Sequence, residues 1–159
     1  MKNKKGFTLV ELLAVIVVLA IVMGIAAVAI TNVLDSTRKN AFVASAKQYI
    51  EGAKSIVEGE TVDRMFSTGN TTYLGDCAQN STHDITIDKI DLKSGGDSPY
   101  GLRFIEASKI VVKVTDTACS KFEYSIYLSD GTNAIGSAAE PVAEKSLAAS
   151  SVTVVSDAG

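Results

Sequence analysis

Residues 6–30 read Gly6-Phe7-Thr8-Leu9-Val10-Glu11-Leu12-Leu13-Ala14-Val15-Ile16-Val17-Val18-Leu19-Ala20-Ile21-Val22-Met23-Gly24-Ile25-Ala26-Ala27-Val28-Ala29-Ile30. From Leu12 to Ile30, 19 consecutive residues carry no charge, and all but Gly24 are apolar. As a helix rising 1.5 Å per residue they extend about 28 Å, close to the roughly 30 Å hydrocarbon core of a bilayer. Lys2, Lys4 and Lys5 precede the run, and Asp35, Arg38 and Lys39 follow it. The positive-inside rule therefore places the N-terminus in the cytoplasm and the chain after about residue 35 outside. A plain single-pass anchor is one reading of such a span. An ordinary secretory signal peptide, cut at Ala27-Val28-Ala29, is another. Against the second, the run exceeds the usual length of about 7–15 residues and begins beside a carboxylate.

That carboxylate is Glu11. A charge near the centre of an inserted helix costs roughly 2.5–3.5 kcal/mol, less near the interface, so an acid at this position implies a partner. A short lysine-bearing leader, Gly6, Phe7, Glu11 and a following apolar span occur here in order. In this the first 58 residues resemble the type IV pilin family, which includes the pseudopilins of type II secretion and DNA uptake. The resemblance implies that residues 1–6 are a leader cut after Gly6 by a membrane peptidase that also methylates the new amine of Phe7. It implies that Glu11 pairs with the terminal amine of a neighbouring subunit during assembly. Methylation keeps the amine's charge, and the two opposite charges reduce each other's burial cost. The implied partners are further subunits of a homo-polymer, the prepilin peptidase and methyltransferase, a membrane platform protein with its assembly ATPase, and lipid before assembly. Two positions depart from the family: Val28 stands where many members have proline, and Ala20 where many have a helix-breaking glycine. Any melting of this helix in a filament is expected near Gly24 instead.

Residues 31–58 keep a helical period while becoming amphipathic. Leu34, Phe42, Ala46, Tyr49, Ile50, Ala53, Ile56 and Val57 recur at spacings of three and four, with Arg38, Lys39, Lys47, Glu51 and Lys54 largely off the stripe. No proline interrupts residues 7–58, so one continuous helix is expected, ending at Gly59. Residues 7–30 form its membrane or filament-core half, and residues 31–58 offer their stripe to the domain at 59–159.

That domain reads as β-rich. Residues 60–82 form a linking segment in which Met65, Phe66, Tyr73 and Leu74 are available to dock. Ile85 and Ile87 alternate with polar neighbours, and the phase slip at Lys89 predicts a bulge or strand end. Residues 93–101 are a loop by composition. Ile110, Val112 and Val114, then Phe122, Tyr124, Ile126 and Leu128, alternate as two strands. Asp130-Gly131 is a turn, after which Thr132–Ile135 pairs back. Residues 137–151, rich in Ala and Ser, read as a weakly structured loop, and 151–156 as a closing strand. The fold class is α+β: a long N-terminal helix laid by its second half on an antiparallel sheet.

Charge is unevenly spread. Residues 59–159 carry eight basic and fourteen acidic groups, which argues against binding nucleic-acid phosphates. Cys77 and Cys119 are too few and too far apart for a protein-only zinc or iron–sulfur site. On the outer side of a membrane they are expected to form one intrachain disulfide, buried free thiols being the alternative. His83 is the only histidine, with no cysteine near it in sequence, and reads as structural. Asp84, Asp88 and Asp91, or Asp130 with Asn133, match no EF-hand spacing. Asn70-Thr71-Thr72 and Asn80-Ser81-Thr82 fit a glycosylation triplet that is common by chance. No Walker motif, nucleophile elbow or dinucleotide fingerprint occurs, so neither catalysis nor a cofactor is expected. Three readings follow: a structural subunit of a surface pilus, a pseudopilin of a secretion or DNA-uptake machine, or a membrane-anchored binding domain that never polymerises. The last leaves Glu11 without a partner.

Overall fold

A computed structural model describes residues 8–66, 73–75, 77–92 and 96–155. The chain divides into two compact units, Met1–Thr37 and Arg38–Gly159, and one helix, α1 (Leu9–Phe66), contributes to both.

In the first unit every described side chain from Thr8 to Ala26 is exposed. The helix satisfies its own backbone, so from Leu12 to Ala26 its described side chains present hydrocarbon, the arrangement suited to a lipid or protein surround. Leu34, expected on the buried stripe, is also exposed, because it falls before Arg38, where α1 begins to meet the sheet domain.

In the second unit the amphipathic stripe does what its spacing requires. Phe42, Ala46, Tyr49, Ile50, Ala53 and Val57 are buried, and Ile56 packs at their margin. Their counterpart is a six-stranded antiparallel sheet: β1 (Thr82–Thr86), β2 (Lys109–Val114), β3 (Phe122–Ser129), β4 (Asn133–Ile135), β5 (Val142–Ala143) and β6 (Val152–Val154). The order is β1-β2-β3-β4-β6, with β5 beside β3 at Ser125 and Ile126. Register places Ile85, Ile110 and Ile126 in one row across three strands, all fully buried. Removing each such side chain from water stabilises the fold by about 1.5–3 kcal/mol. Phe104 closes the core edge-on to Phe42 and Tyr49, at 5.4 and 5.8 Å between ring centroids.

Three further expectations change. The helix does not stop at Gly59 but continues to Phe66. A glycine inside a helix costs about 1 kcal/mol, and the added turns offset it through contacts with the following segment. Glu60 accepts from the N–H groups of Tyr73 (2.8 Å) and Leu74 (2.9 Å), seating the fully buried Leu74, while Arg64 Nη2 donates to the Gly75 carbonyl at 2.6 Å. Met65 and Phe66 do not dock and are exposed, because they lie in this extension rather than in a linker. Of the two readings of the slip at Lys89 the strand end holds: β1 stops at Thr86 and a 3₁₀ turn follows at Ile87–Lys89. The Ala- and Ser-rich stretch 137–151 is ordered by polar contacts, not by apolar periodicity. Gly136 at φ +70° makes the turn, with space for no side chain against Glu140 O; β5 then pairs, and Lys54 Nζ reaches Glu144 at 2.6 Å.

The remaining strand expectations match the architecture. Asp130 and Gly131 do form the β3–β4 turn, Gly131 at φ +86°. Asp130 is buried there, accepting from Ser98 Oγ (2.6 Å), Thr132 N (3.0 Å) and Asn133 N (2.6 Å).

Candidate assembly site

The first helical hydrogen bond of α1 runs from Leu12 N to Thr8 O at 3.2 Å, which makes Thr8 the residue that caps the helix. Glu11 then falls at the third helical position, where a carboxylate can reach back to the cap. It does so. Thr8 N donates to Glu11 Oε2 at 2.8 Å and Thr8 Oγ1 donates to the same oxygen at 2.9 Å. Thr8 Oγ1 in turn accepts from Glu11 N at 3.3 Å. This is a reciprocal capping box, which satisfies two backbone donors that the helix itself leaves orphaned.

Around the pair, Leu9, Val10, Leu12 and Leu13 are all exposed. Glu11 is therefore an acid on an apolar surface, and α1 is long and apolar enough to cross a membrane. An exposed apolar surface of this kind is suited to packing against lipid or protein, and Glu11 places one acid on it. Thr8 was not singled out from the sequence, although Thr8-Leu9-Val10-Glu11 carries the signature of the box. Gly6 and Phe7, the residues at the expected leader cut, lie outside the described residues.

The other candidate positions are distant in sequence from this one. Cys77 and Cys119 are joined by a disulfide, with 5.7 Å between their Cα atoms. Cys77 is half-buried before β1, and Cys119 is buried in the β2–β3 turn at φ +54°. That turn has its own support, since Asp116 Oδ1 accepts from Ser120 N at 2.9 Å and Lys121 N at 3.1 Å. These bonds to the charged form hold the Asp116 carboxyl below its ordinary range, the side-chain bond from Ser120 contributing most. The bridge thus fastens the segment after α1 to a turn already formed.

His83 sits half-buried on β1, its Nε2 2.9 Å from Ser81 Oγ. Asp84 pairs with Lys109 Nζ at 2.6 Å and Asp88 with Lys89 at 2.9 Å. Asp130 is engaged by Ser98 and by the backbone N–H groups of Thr132 and Asn133. No group of three or more His, Cys, Asp or Glu side chains among the described residues is placed to hold a metal ion. Asn80 lies exposed in the turn before β1; residues 70–72 fall outside the description.

Against known proteins, residues 1–27 match the family model of the prokaryotic N-terminal methylation motif. Comparison with curated proteins and with solved structures returns no match. The chain therefore opens with a class III leader of the kind typical of type IV pilins and pseudopilins, and behind it stands a pilin-like α+β architecture.

Proposed function

We propose that this protein is a structural subunit of a type IV pilus, polymerising through α1 into surface filaments that serve adhesion, motility or colonisation. The observation that carries the reading is the methylation motif running directly into the first part of α1, where every described side chain from Thr8 to Ala26 is exposed and Glu11 is the one acid among them. Residues 1–6 are removed between Gly6 and Phe7, and the new Phe7 amine is methylated by the same membrane enzyme. Residues 7–30 anchor the subunit in the cytoplasmic membrane with the N-terminus inside, then pass into the filament core. Residues 31–58 continue the helix, and residues 59–159 form the extracytoplasmic domain. In the filament the ammonium of one subunit's Phe7 pairs with Glu11 of another, and each charge lowers the cost of burying its partner. The protein is structural rather than catalytic and takes no cofactor; a platform protein and an ATPase elsewhere drive its assembly.

Electron microscopy with antibodies raised against residues 59–159 tests this. Long labelled fibres are the expected result. Label confined to the envelope overturns the pilus reading in favour of a pseudopilin or a non-polymerising anchored domain, and those two separate by whether subunits cross-link to one another.

A further inference from the structure

We infer that Thr8 is a positioning residue for Glu11, dividing the carboxylate between two helices: Oε2 caps its own, and Oε1 receives the ammonium of a second copy. This rests on the pairing role proposed for Glu11 and adds the device that makes the pairing directional. Both bonds from Thr8, from its N–H and its Oγ1, converge on Oε2, and Oε1 makes no hydrogen bond to the described residues. Thr8 Oγ1 also accepts from Glu11 N, so the hydroxyl is held at both ends. A glutamate side chain ordinarily distributes itself over three rotatable bonds. Here it is tied back along its own helix.

The consequence differs before and after assembly. In a lone subunit the cap gives the carboxylate two donors and the helix start an acceptor, so neither is stranded in an apolar surround. When a neighbour's ammonium arrives, the cap stays intact and the incoming charge-assisted bond forms at the open oxygen. No hydrogen bond has to be broken to make the new contact. Threonine and serine supply the hydroxyl; valine has nearly the shape of threonine and supplies no hydroxyl.

Three full-length variants in a filament-forming strain test this: Thr8→Ser, Thr8→Val and Glu11→Gln. Membrane fractions, intact mass and sheared filament yield are measured for each. Contact between Glu11 and a neighbour's N-terminal amine is read by carbodiimide coupling in purified filaments, with the joined peptides identified by mass spectrometry. All three are expected to insert and to begin at Phe7. Thr8→Val should lower filament yield and coupling per assembled subunit about tenfold, the scale of one hydrogen bond to a charged group. Thr8→Ser should restore both; coupling per assembled subunit is the readout that loss of a helix cap alone would not move. Glu11→Gln retains an acceptor for the cap but no charge, and should abolish filament yield; having no carboxyl to activate, it serves as the blank for the coupling. Wild-type yield and coupling in Thr8→Val, with Glu11→Gln inactive, overturns the role of Thr8 and leaves the pairing standing. Wild-type yield in Glu11→Gln overturns the pairing itself. A Thr8→Val subunit missing from the membrane also overturns the proposal, since its defect would then precede assembly.

Discussion

At the scale of single residues, the sharpest steric demand among the described glycines lies at Gly52 on the inner side of α1. A Cβ built there would meet Ile90 Cγ2 at 2.3 Å, far inside contact distance. Gly52→Ala gains about 1 kcal/mol of helix propensity but forces the turn after β1 outward, and such overpacking costs typically 1–3 kcal/mol. The expected outcome is a net loss of up to about 2 kcal/mol in denaturant unfolding, with Gly59→Ala as the control. Gly59 has nothing within 4 Å of the same built atom, so its alanine variant should be neutral or stabilising. The proposed cut between Gly6 and Phe7 makes a different demand on Gly6, one of processing. Replacing it with a bulkier residue should leave the leader attached, read as an intact mass that still includes residues 1–6. A mature start near Ile30 would instead restore an ordinary signal peptide.

At the scale of elements, the joint between α1 and the β5 segment is electrostatic. Lys54 Nζ lies 2.6 Å from Glu144 and 2.8 Å from Glu51, and 5.6 Å from the centre of the Tyr124 ring. The bond to Glu144 first, then that to Glu51, pushes the ammonium up from its ordinary 10.5 to about 12. Burial chiefly pushes the Tyr124 phenol up from 10.0 to about 12. Both groups hold their protons more tightly when folded than when unfolded. Their contribution is therefore fully present below pH 10 and is lost as pH rises through about 12. Thermal unfolding followed from pH 9 upward should show Tm falling across that window, and Lys54→Met should make the fall shallower. Because Lys54 is partly solvent-exposed, the effect is modest. An unchanged slope in Lys54→Met would remove Lys54 from the account.

At the scale of the whole molecule, the disulfide closes a loop of sequence separation 42 between the segment after α1 and the β2–β3 turn. Restricting the unfolded chain by that loop is worth about 4 kcal/mol in the entropy model, a sizeable part of one domain's stability. Both ends keep other anchors. Glu60 and Arg64 hold residues 73–75, Asn80 N donates to Val114 O at 2.8 Å, and Asp116 holds the turn. The double variant Cys77→Ser with Cys119→Ala is thus expected to fold, with its urea midpoint lowered by an amount near that entropy term. When the unsubstituted protein is unfolded without reductant and alkylated, its intact mass should show no modified thiol. Two alkylated thiols would mean that the bridge does not form.

Sequence alone determined whatever depended on contacts near in the chain or on periodicity. Lys2 to Ile30 declared an apolar span behind a basic leader, the spacing from Phe42 to Val57 declared a helix face, and alternation in β2 and β3 declared their buried rows. Each signal is a run of side chains whose solvation repeats with the backbone's own period. Thr8 with Glu11 was equally local, legible as a capping box to a reader watching the hydroxyl as well as the acid. What only the tertiary structure decided were features stabilised by residues far away in sequence. The continuation of α1 past Gly59 depends on Glu60 and Arg64 reaching residues 73–75, and no propensity within the helix encodes it. The order in 137–151 depends on β3 and on Lys54, ninety positions before Glu144. Ala and Ser carry too little apolar surface to announce a strand, so their placement waits for a sheet edge and a lysine that the rest of the fold has already brought there.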